Sequence, residues 1–435
     1  MTAPHAATSG TEEREAMKTL RSYGYDVRGI QHLARDQRAF AVRAAGRDLL
    51  LAPGAHLRTR SVDLGAGCFT NTHTLTLDLH RIHAQVHSAA RPFYLPDLIS
   101  GRGRAVAAVS GTFAFISDDG AYQPDEPRLD LCCHHGAVAS LPIADKPALL
   151  LRDGLPTISD LAARGTLTLD GHRYAWAGSR TSLNTTHALS RVAGMLTVYS
   201  AANCHIRYRD DSRTGLLRYV ERATNRTPRT ATGVDYVVSP SAAHGLRVSE
   251  IHPGGGSDLF RGSFILRSPH PLRNTAPGAR VEITGIDGHQ VRTLTAGISL
   301  GPSVFDAATR PTPAYGDCLG KSPFQHGARH ARTLIAQVAG QLVLQVIDGA
   351  AHTDTFRGTT PQETAQLCTD AGLDPRHVYH LDGGASSKIA YLHAGTPRVA
   401  GSMHYLRWPT SPTQPFVWAG HEGRALHSAL LLTPR

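Results

Sequence analysis

The chain has 435 residues, 41% hydrophobic and 18% charged, which describes a globular protein with a large core and excludes a disordered one. Lys and Arg number 45 against 35 Asp and Glu, a formal net charge of +10, and lysine occurs only at 18, 146, 321 and 388, so the basic charge is almost all arginine. The basic residues are dispersed, with no Lys/Arg run and no zinc-finger or helix-turn-helix signature, so the charge points to small anionic ligands and not to nucleic acid.

Residues 1–11 are small and polar, and 12–22 read as a charged helix without an apolar core, so no secretory signal is expected. No stretch approaches the ~20 apolar residues needed to cross a bilayer, so no membrane partner is expected. The six cysteines lack regular spacing and suggest no disulfide scaffold, and a cytoplasmic location is the expectation. Residues 39–42 and 48–51 read as strand segments. Residues 1–49 are expected to form an N-terminal extension with a helix, and 50–435 a single catalytic domain.

Further along, Thr74-Leu75-Thr76-Leu77-Asp78-Leu79 alternates as a half-buried strand does. His80, His83 and His87 follow at helical spacing and are most simply solvated or packing histidines. Residues 105–109 form a short apolar strand leading to Ser110. Cys132-Cys133-His134-His135 contains metal-ligand types, but structural zinc sites favour two spaced pairs, so no metal and no cofactor is expected. Between about 150 and 300, short strands such as 234–238, 247–251 and 281–286 alternate with glycine-rich turns. The turn Pro253-Gly254-Gly255-Gly256-Ser257 lacks the lysine and helix signal of a P-loop and reads as a flexible turn.

The C-terminal third carries the chemistry. Residues 342–347 (LVLQVI) read as a buried strand ending at Asp348-Gly349. A helix should follow, with Thr360 as N-cap, Pro361 at its first position, Glu363 closing a capping box and Gly372 as its stop. The next strand, 377–381, ends at Asp382. This is a β–loop–α–β unit whose strands should be parallel or nearly so, and an α+β fold with mixed sheets is the expected class. If those strands are neighbours, Asp348 and Asp382 emerge at one carboxyl edge, where two carboxylates can act on a glycosidic bond. Alternatively Asp348 merely starts a turn. Gly383 and Gly384 let the backbone bend and expose its N–H groups, and Ser386 and Ser387 add donors, so the run after Asp382 suggests an anion pocket. His380 precedes Asp382 by two residues and shares its strand face, either as an acid or as a half-buried core histidine.

These residues resemble the phosphodiester glycosidase family. Its members carry a strand ending in Asp-Gly, a helix, then a Leu-Asp-Gly-Gly-Gly-Ser-Ser run, close to Leu381–Ser387 here. In the family's order, Ala108-Val109-Ser110-Gly111-Thr112-Phe113 resembles its Asn-Gly-Gly-Phe-Phe segment, and Ser182-Leu183-Asn184 its Gly-x-Asn element. His330-Ala331-Arg332-Thr333 resembles its His-Pro-Arg-Thr, and Arg424 with Ser428-Ala429-Leu430 its closing Arg-x-Val-x-Asn-Ala-Leu. The resemblance covers roughly residues 50–435. Ser110 and His380 stand where the family has Asn, Ala385 replaces a Gly, Lys388 a Thr, Ala331 a Pro and Ala350 an Arg.

The resemblance implies hydrolysis of a sugar 1-phosphodiester or a nucleotide-like glycosyl phosphate, in an intracellular metabolic or biosynthetic pathway. Asp382 would face the anomeric carbon, with Asp348 as its partner and His380 as a candidate acid. Arg332 and Thr333 would meet the phosphate together with Ser386, Ser387, Gly383 and Gly384. Ser110, Thr112, Phe113 and Asn184 would line the sugar pocket, and Lys388 would add a charged contact. The departures keep two alternatives open: glycosyl transfer by a diverged enzyme, and a binding protein without turnover.

Overall fold

In the computed structural model, which describes residues 43–113, 130–134, 136–180, 195–203, 205–211, 216–224, 226–241, 245–309, 329–349, 356, 358–401, 406–407, 417–418 and 426–435, period-two alternation prevails. Among the described residues 28 strands form, against three α-helices: Leu95–Ser100 (α1), Val304–Thr309 (α2) and Pro361–Asp370 (α3). The fold is therefore mostly β and built from several antiparallel sheets, and the expected α+β class is corrected.

Seven strands position the site: Cys68–Asp78 (β1), Ala107–Ser110 (β2), Arg332–Val338 (β3), Gln341–Ile347 (β4), Val378–Leu381 (β5), Lys388–His393 (β6) and Leu426–Pro434 (β7). A six-stranded sheet runs in the order Arg47–Ala52, Ala55–Gly65, β1, β4, β3, β5. A five-stranded sheet runs Thr396–Gly401, β6, β2, β7, Ile82–Phe93. Strands from both ends of the chain thus interleave in each sheet. Leu75, Leu77, Ile335, Leu342, Leu344 and Val346 from the first sheet meet Val109, Ile389, Leu430 and Leu432 from the second in one buried core. A separate eight-stranded sheet is drawn from residues 164–290, around Trp176, Tyr236 and Phe264. It holds the one parallel pairing among the described strands, His172–Gly178 with Met195–Tyr199.

The correction of fold class has a local cause. The β–loop–α–β unit is present, but β3 lies between its two strands and pairs antiparallel with each. The strands β4 and β5 therefore run in the same direction without being neighbours. At the other end of the sheet, the edge strand Arg47–Ala52 pairs with Ala55–Gly65 and spans residue 49.

The helix α3 forms where the capping signals place it. Thr360 Oγ1 accepts from the Glu363 N–H at 3.1 Å, and the Glu363 carboxylate accepts from the Thr360 N–H at 2.9 Å. Its Leu367 and Cys368 pack on Leu334, Ala336, Val343, Ile347 and Val378, covering the outer face of the six-stranded sheet. Thr360→Ala is expected to lower stability by about 1 kcal/mol, seen as a lower urea midpoint with an unchanged slope.

Candidate active site

The ladder of β3 brings the site together. Arg332 pairs with Ile347 in β4, and Thr333 pairs with Leu381 in β5. One step further along each ladder, Asp348 falls beside Ala331 and Asp382 beside Arg332. Two strand spacings separate the carboxylate-bearing strands, so the Asp348 and Asp382 Cα atoms lie about 10 Å apart. Both emerge at the edge where β3 begins. Asp382 is partly exposed, whereas Asp348 and Arg332 are buried.

The second sheet anchors Asp382 through its backbone. Its N–H donates to the Gly111 carbonyl at 3.2 Å, and its carbonyl accepts from Ser110 Oγ at 2.9 Å. Ser110 Oγ also lies 3.2 Å from Thr333 Oγ1, which donates to Ser387 Oγ at 3.2 Å. Ser110, Thr333 and Ser387 thus form a chain of fully buried hydroxyls that ties the two sheets together. The path at Gly111 is tight, since a Cβ there would sit 2.6 Å from Ser428 Oγ and 2.9 Å from the Ser428 carbonyl carbon. Ser428 Oγ in turn accepts from the Thr112 N–H at 3.0 Å.

The glycine turn serves itself more than a ligand. The Gly384 N–H donates to the Ala331 carbonyl at 2.9 Å, and the amides of Ser386 and Ser387 donate to Gly383 and Gly384 within the turn. Those three donors are in use. Side-chain oxygens are what the site leaves open: Ser386 Oγ, Thr112 Oγ1 and Asp348 Oδ1 are buried with no hydrogen-bond partner among the described residues. Buried polar atoms of this kind are few in folded proteins and each calls for a physical reason, a bound water or ligand among them.

Arg332 and His380 are almost wholly buried and belong to the face of the sheet that α3 covers. The Arg332 Nη2 donates to the Thr359 carbonyl at 3.1 Å. That carbonyl is set by Gly358, which has φ +86° and where a Cβ would lie 2.2 Å from the His330 carbonyl oxygen. Burial lowers the guanidinium to about 10, so it stays charged at neutral pH. Burial first, and then the Arg332 charge, hold His380 well below the usual imidazole range, and the same two causes press His330 to about 3.

Other expected residues fall further apart. Phe113 is buried, and its ring would lie 3.4 Å from a Cβ built on Gly301, whose N–H donates to the His380 carbonyl at 2.7 Å. Along β6, Ile389 faces the inter-sheet core while Ala390 packs with α1, so alternation sends the fully buried Lys388 to the α1 side. Asn184 and Arg424 lie outside the described residues. No group of three side chains suited to hold a metal ion forms among the described residues.

One residue of the site was not foreseen. His73 of β1 approaches Asp348, with Nε2 2.9 Å from Oδ2, and Thr59 Oγ1 lies 3.0 Å from its Nδ1. The signal was there in part: His73 shares the parity of Leu75 and Leu77, so it falls on the core face, where an imidazole needs a partner. Which strand would lie beside β1 was not legible.

The two depressed histidines predict an acid sensitivity. Both are neutral when folded and accept protons near pH 6.5 when unfolded, so their contribution is complete above pH 6.5 and is lost as pH falls below it. Each proton the fold excludes contributes a slope of about 1.4 kcal/mol per pH unit. Thermal unfolding between pH 7.5 and 5 should show falling midpoints, and His380→Gln should flatten that dependence.

Comparison with known proteins finds a family match over part of this edge. Residues 278–432 match the phosphodiester glycosidase family. No curated protein matches the chain. Among solved structures, a hypothetical protein from Synechocystis is similar at TM-score 0.53 and 16% identity, over 91% of this chain and 65% of that one. The chain thus spans less than two thirds of that neighbour, and the likeness concerns the fold alone. A putative exported protein from Burkholderia pseudomallei is similar at TM-score 0.49 and 17% identity, over 84% of this chain and 74% of that one. The zebrafish N-acetylglucosamine-1-phosphodiester alpha-N-acetylglucosaminidase catalytic domain, auto-inhibited by its pro-peptide, is similar at TM-score 0.35 and 12% identity, over 91% of this chain and 89% of that one. The stretch that carries Arg332, Asp348 and Asp382 thus matches the phosphodiester glycosidase family, in keeping with the resemblance seen in the sequence.

Proposed function

We propose that the protein hydrolyses a sugar 1-phosphodiester or a similar glycosyl phosphate. One observation carries this reading: within the stretch that matches the family, β3 sets the backbone of the charged, buried Arg332 between the strand ends that lead to a partly exposed Asp382 and a buried Asp348. Asp382 is the reacting carboxylate, because it is the accessible one and its backbone is held at both N–H and C=O by the opposite sheet. A rigid mount of this kind aims the side chain, which is most of what positioning contributes to rate. It acts on the anomeric carbon as nucleophile or as base for water. The C1–O bond breaks, the phosphomonoester leaves with the bonding pair, and water supplies the hydroxyl of the free sugar.

Arg332 supplies fixed positive charge beside Asp382, which favours a negatively charged substrate and the charge that builds on the departing phosphate. The Ser386 and Thr112 hydroxyls offer donors to phosphate or sugar oxygens. His380 is held neutral, so its part is hydrogen bonding and packing beside Arg332, not that of an imidazolium acid. A phosphomonoester dianion departs readily, so strong acid assistance is not required. The surplus of arginine over the whole chain suits an anionic substrate.

The test is product analysis by mass spectrometry, with native protein and Asp382→Asn incubated with a panel of sugar 1-phosphodiesters and nucleotide sugars. Native protein should release free sugar and a phosphomonoester. Asp382→Asn should lose turnover by roughly 10²–10⁴-fold while keeping ligand affinity. A new glycoside would instead identify transfer. Tight binding by both proteins without turnover would overturn hydrolysis and establish a binding protein.

A further inference from the structure

The carboxylate of Asp348 is held with more care than a turn residue needs. Its N–H donates to the Asn71 carbonyl at 2.8 Å, and its own carbonyl accepts from Thr70 Oγ1 at 2.8 Å. His73 Nε2 lies 2.9 Å from Oδ2. All three contacts come from β1, the strand next to β4. Behind them, Thr59 on the preceding strand, Ala55–Gly65, reaches His73 Nδ1 at 3.0 Å. Backbone, carboxylate and imidazole are therefore fixed in series.

The chemistry of the series has one consistent direction. A carboxylate can only accept, so the His73 Nε2–H donates to Asp348 Oδ2. In a neutral imidazole the other nitrogen must then accept, and the Thr59 hydroxyl is the donor placed to serve it. Oδ2 is satisfied; Oδ1 is not. Oδ1 is buried with no hydrogen-bond partner among the described residues, and an ionised oxygen in that state is costly until an O–H group reaches it.

We infer that His73 is a positioning residue, which orients Asp348 so that Oδ1 is the acceptor for an O–H donor of the reaction. The inference rests on the hydrolytic reading of the site. The donor is either the attacking water or a hydroxyl of the sugar. Thr59 acts one step further back, by fixing the tautomer of His73. The arrangement parallels the general rule that an imidazole's second nitrogen, and what it bonds to, sets what the first one does.

Two measurements test this on the full chain. The first is the tautomer of His73, read by long-range ¹H–¹⁵N correlation on uniformly ¹⁵N-labelled protein. Nε2–H with bare Nδ1 is expected, and Thr59→Val should shift the Nδ1 resonance. An Nδ1–H tautomer overturns the inference, whether or not any substrate is turned over. The second is steady-state kinetics of His73→Leu and His73→Gln on whichever panel substrate the native protein cleaves. His73→Leu should lose roughly ten- to a hundredfold in kcat/KM, the rate equivalent of removing a partner from a buried charged group. His73→Gln keeps an N–H donor and should recover most of it. A loss in kcat at constant KM identifies water as the donor, and a rise in KM identifies a sugar hydroxyl. Equal impairment of His73→Gln and His73→Leu, or native kinetics in His73→Leu, overturns the inference. If nothing on the panel is cleaved, the hydrolytic reading falls while the tautomer still decides the orientation of Asp348.

Discussion

Everything at this edge depends on where β3 lies. An antiparallel ladder forces neighbours to run in opposite directions, so two strands on either side of a third must run the same way. With β3 between β4 and β5, the carboxyl ends of the latter two meet the amino end of the former. That places Arg332 between the chain positions that supply Asp348 and Asp382. A direct parallel pairing of β4 and β5 would have brought the two aspartates a strand closer and expelled the arginine from between them.

Burial then decides what each group is able to do. Arg332 keeps its charge because even a guanidinium lowered to about 10 remains protonated at neutral pH. The imidazoles near it have no such margin. His380 and His330 start near 6.5, and desolvation plus one adjacent positive charge is enough to keep both neutral. Among Arg332, His330 and His380 the site thus carries fixed positive charge on the arginine alone. A lysine or a second histidinium there would add repulsion without adding a partner for substrate. The same logic separates the aspartates: Asp382 is accessible and shares its surroundings with solvent, whereas Asp348 depends on His73 and the β1 backbone.

Local features were legible in the sequence and adjacency was not. Alternation marked β1, short apolar runs marked β2 and β4, and the Thr360 capping box marked α3, because each of these is written within a dozen residues. The strand β3 is not among the expected elements: Arg332-Thr333-Leu334-Ile335-Ala336-Gln337-Val338 places an arginine and two polar residues among its apolar ones, which blurs the strand signal. Missing it made a helix-linked strand pair look like an α+β unit. The same gap hid His73, whose partner lies 275 positions away. In the glycine turn, by contrast, the residue types were right for an anion nest. Yet a tight 3-10 turn at Gly384–Ser386 satisfies its amides internally, and no residue-type argument distinguishes a nest from a turn that closes on itself.

The departures from the family pattern fall into two physical groups. Lys388 and His380 are almost wholly buried, and strand alternation puts the first on the α1 side of its sheet and the second on the α3 side of the other. Ser110 is different. It stands where the family has Asn, and its hydroxyl bridges Thr333 and the Asp382 carbonyl. An asparagine has a longer reach and two donors, whereas a serine shortens the link and gives its one proton to the backbone of the reacting residue. In this chain, then, the position that the family fills with an amide has become part of the mount for Asp382. Asp382 and Gly111 lie one residue beyond the ends of β5 and β2, so the mount joins the two sheets where their strands end.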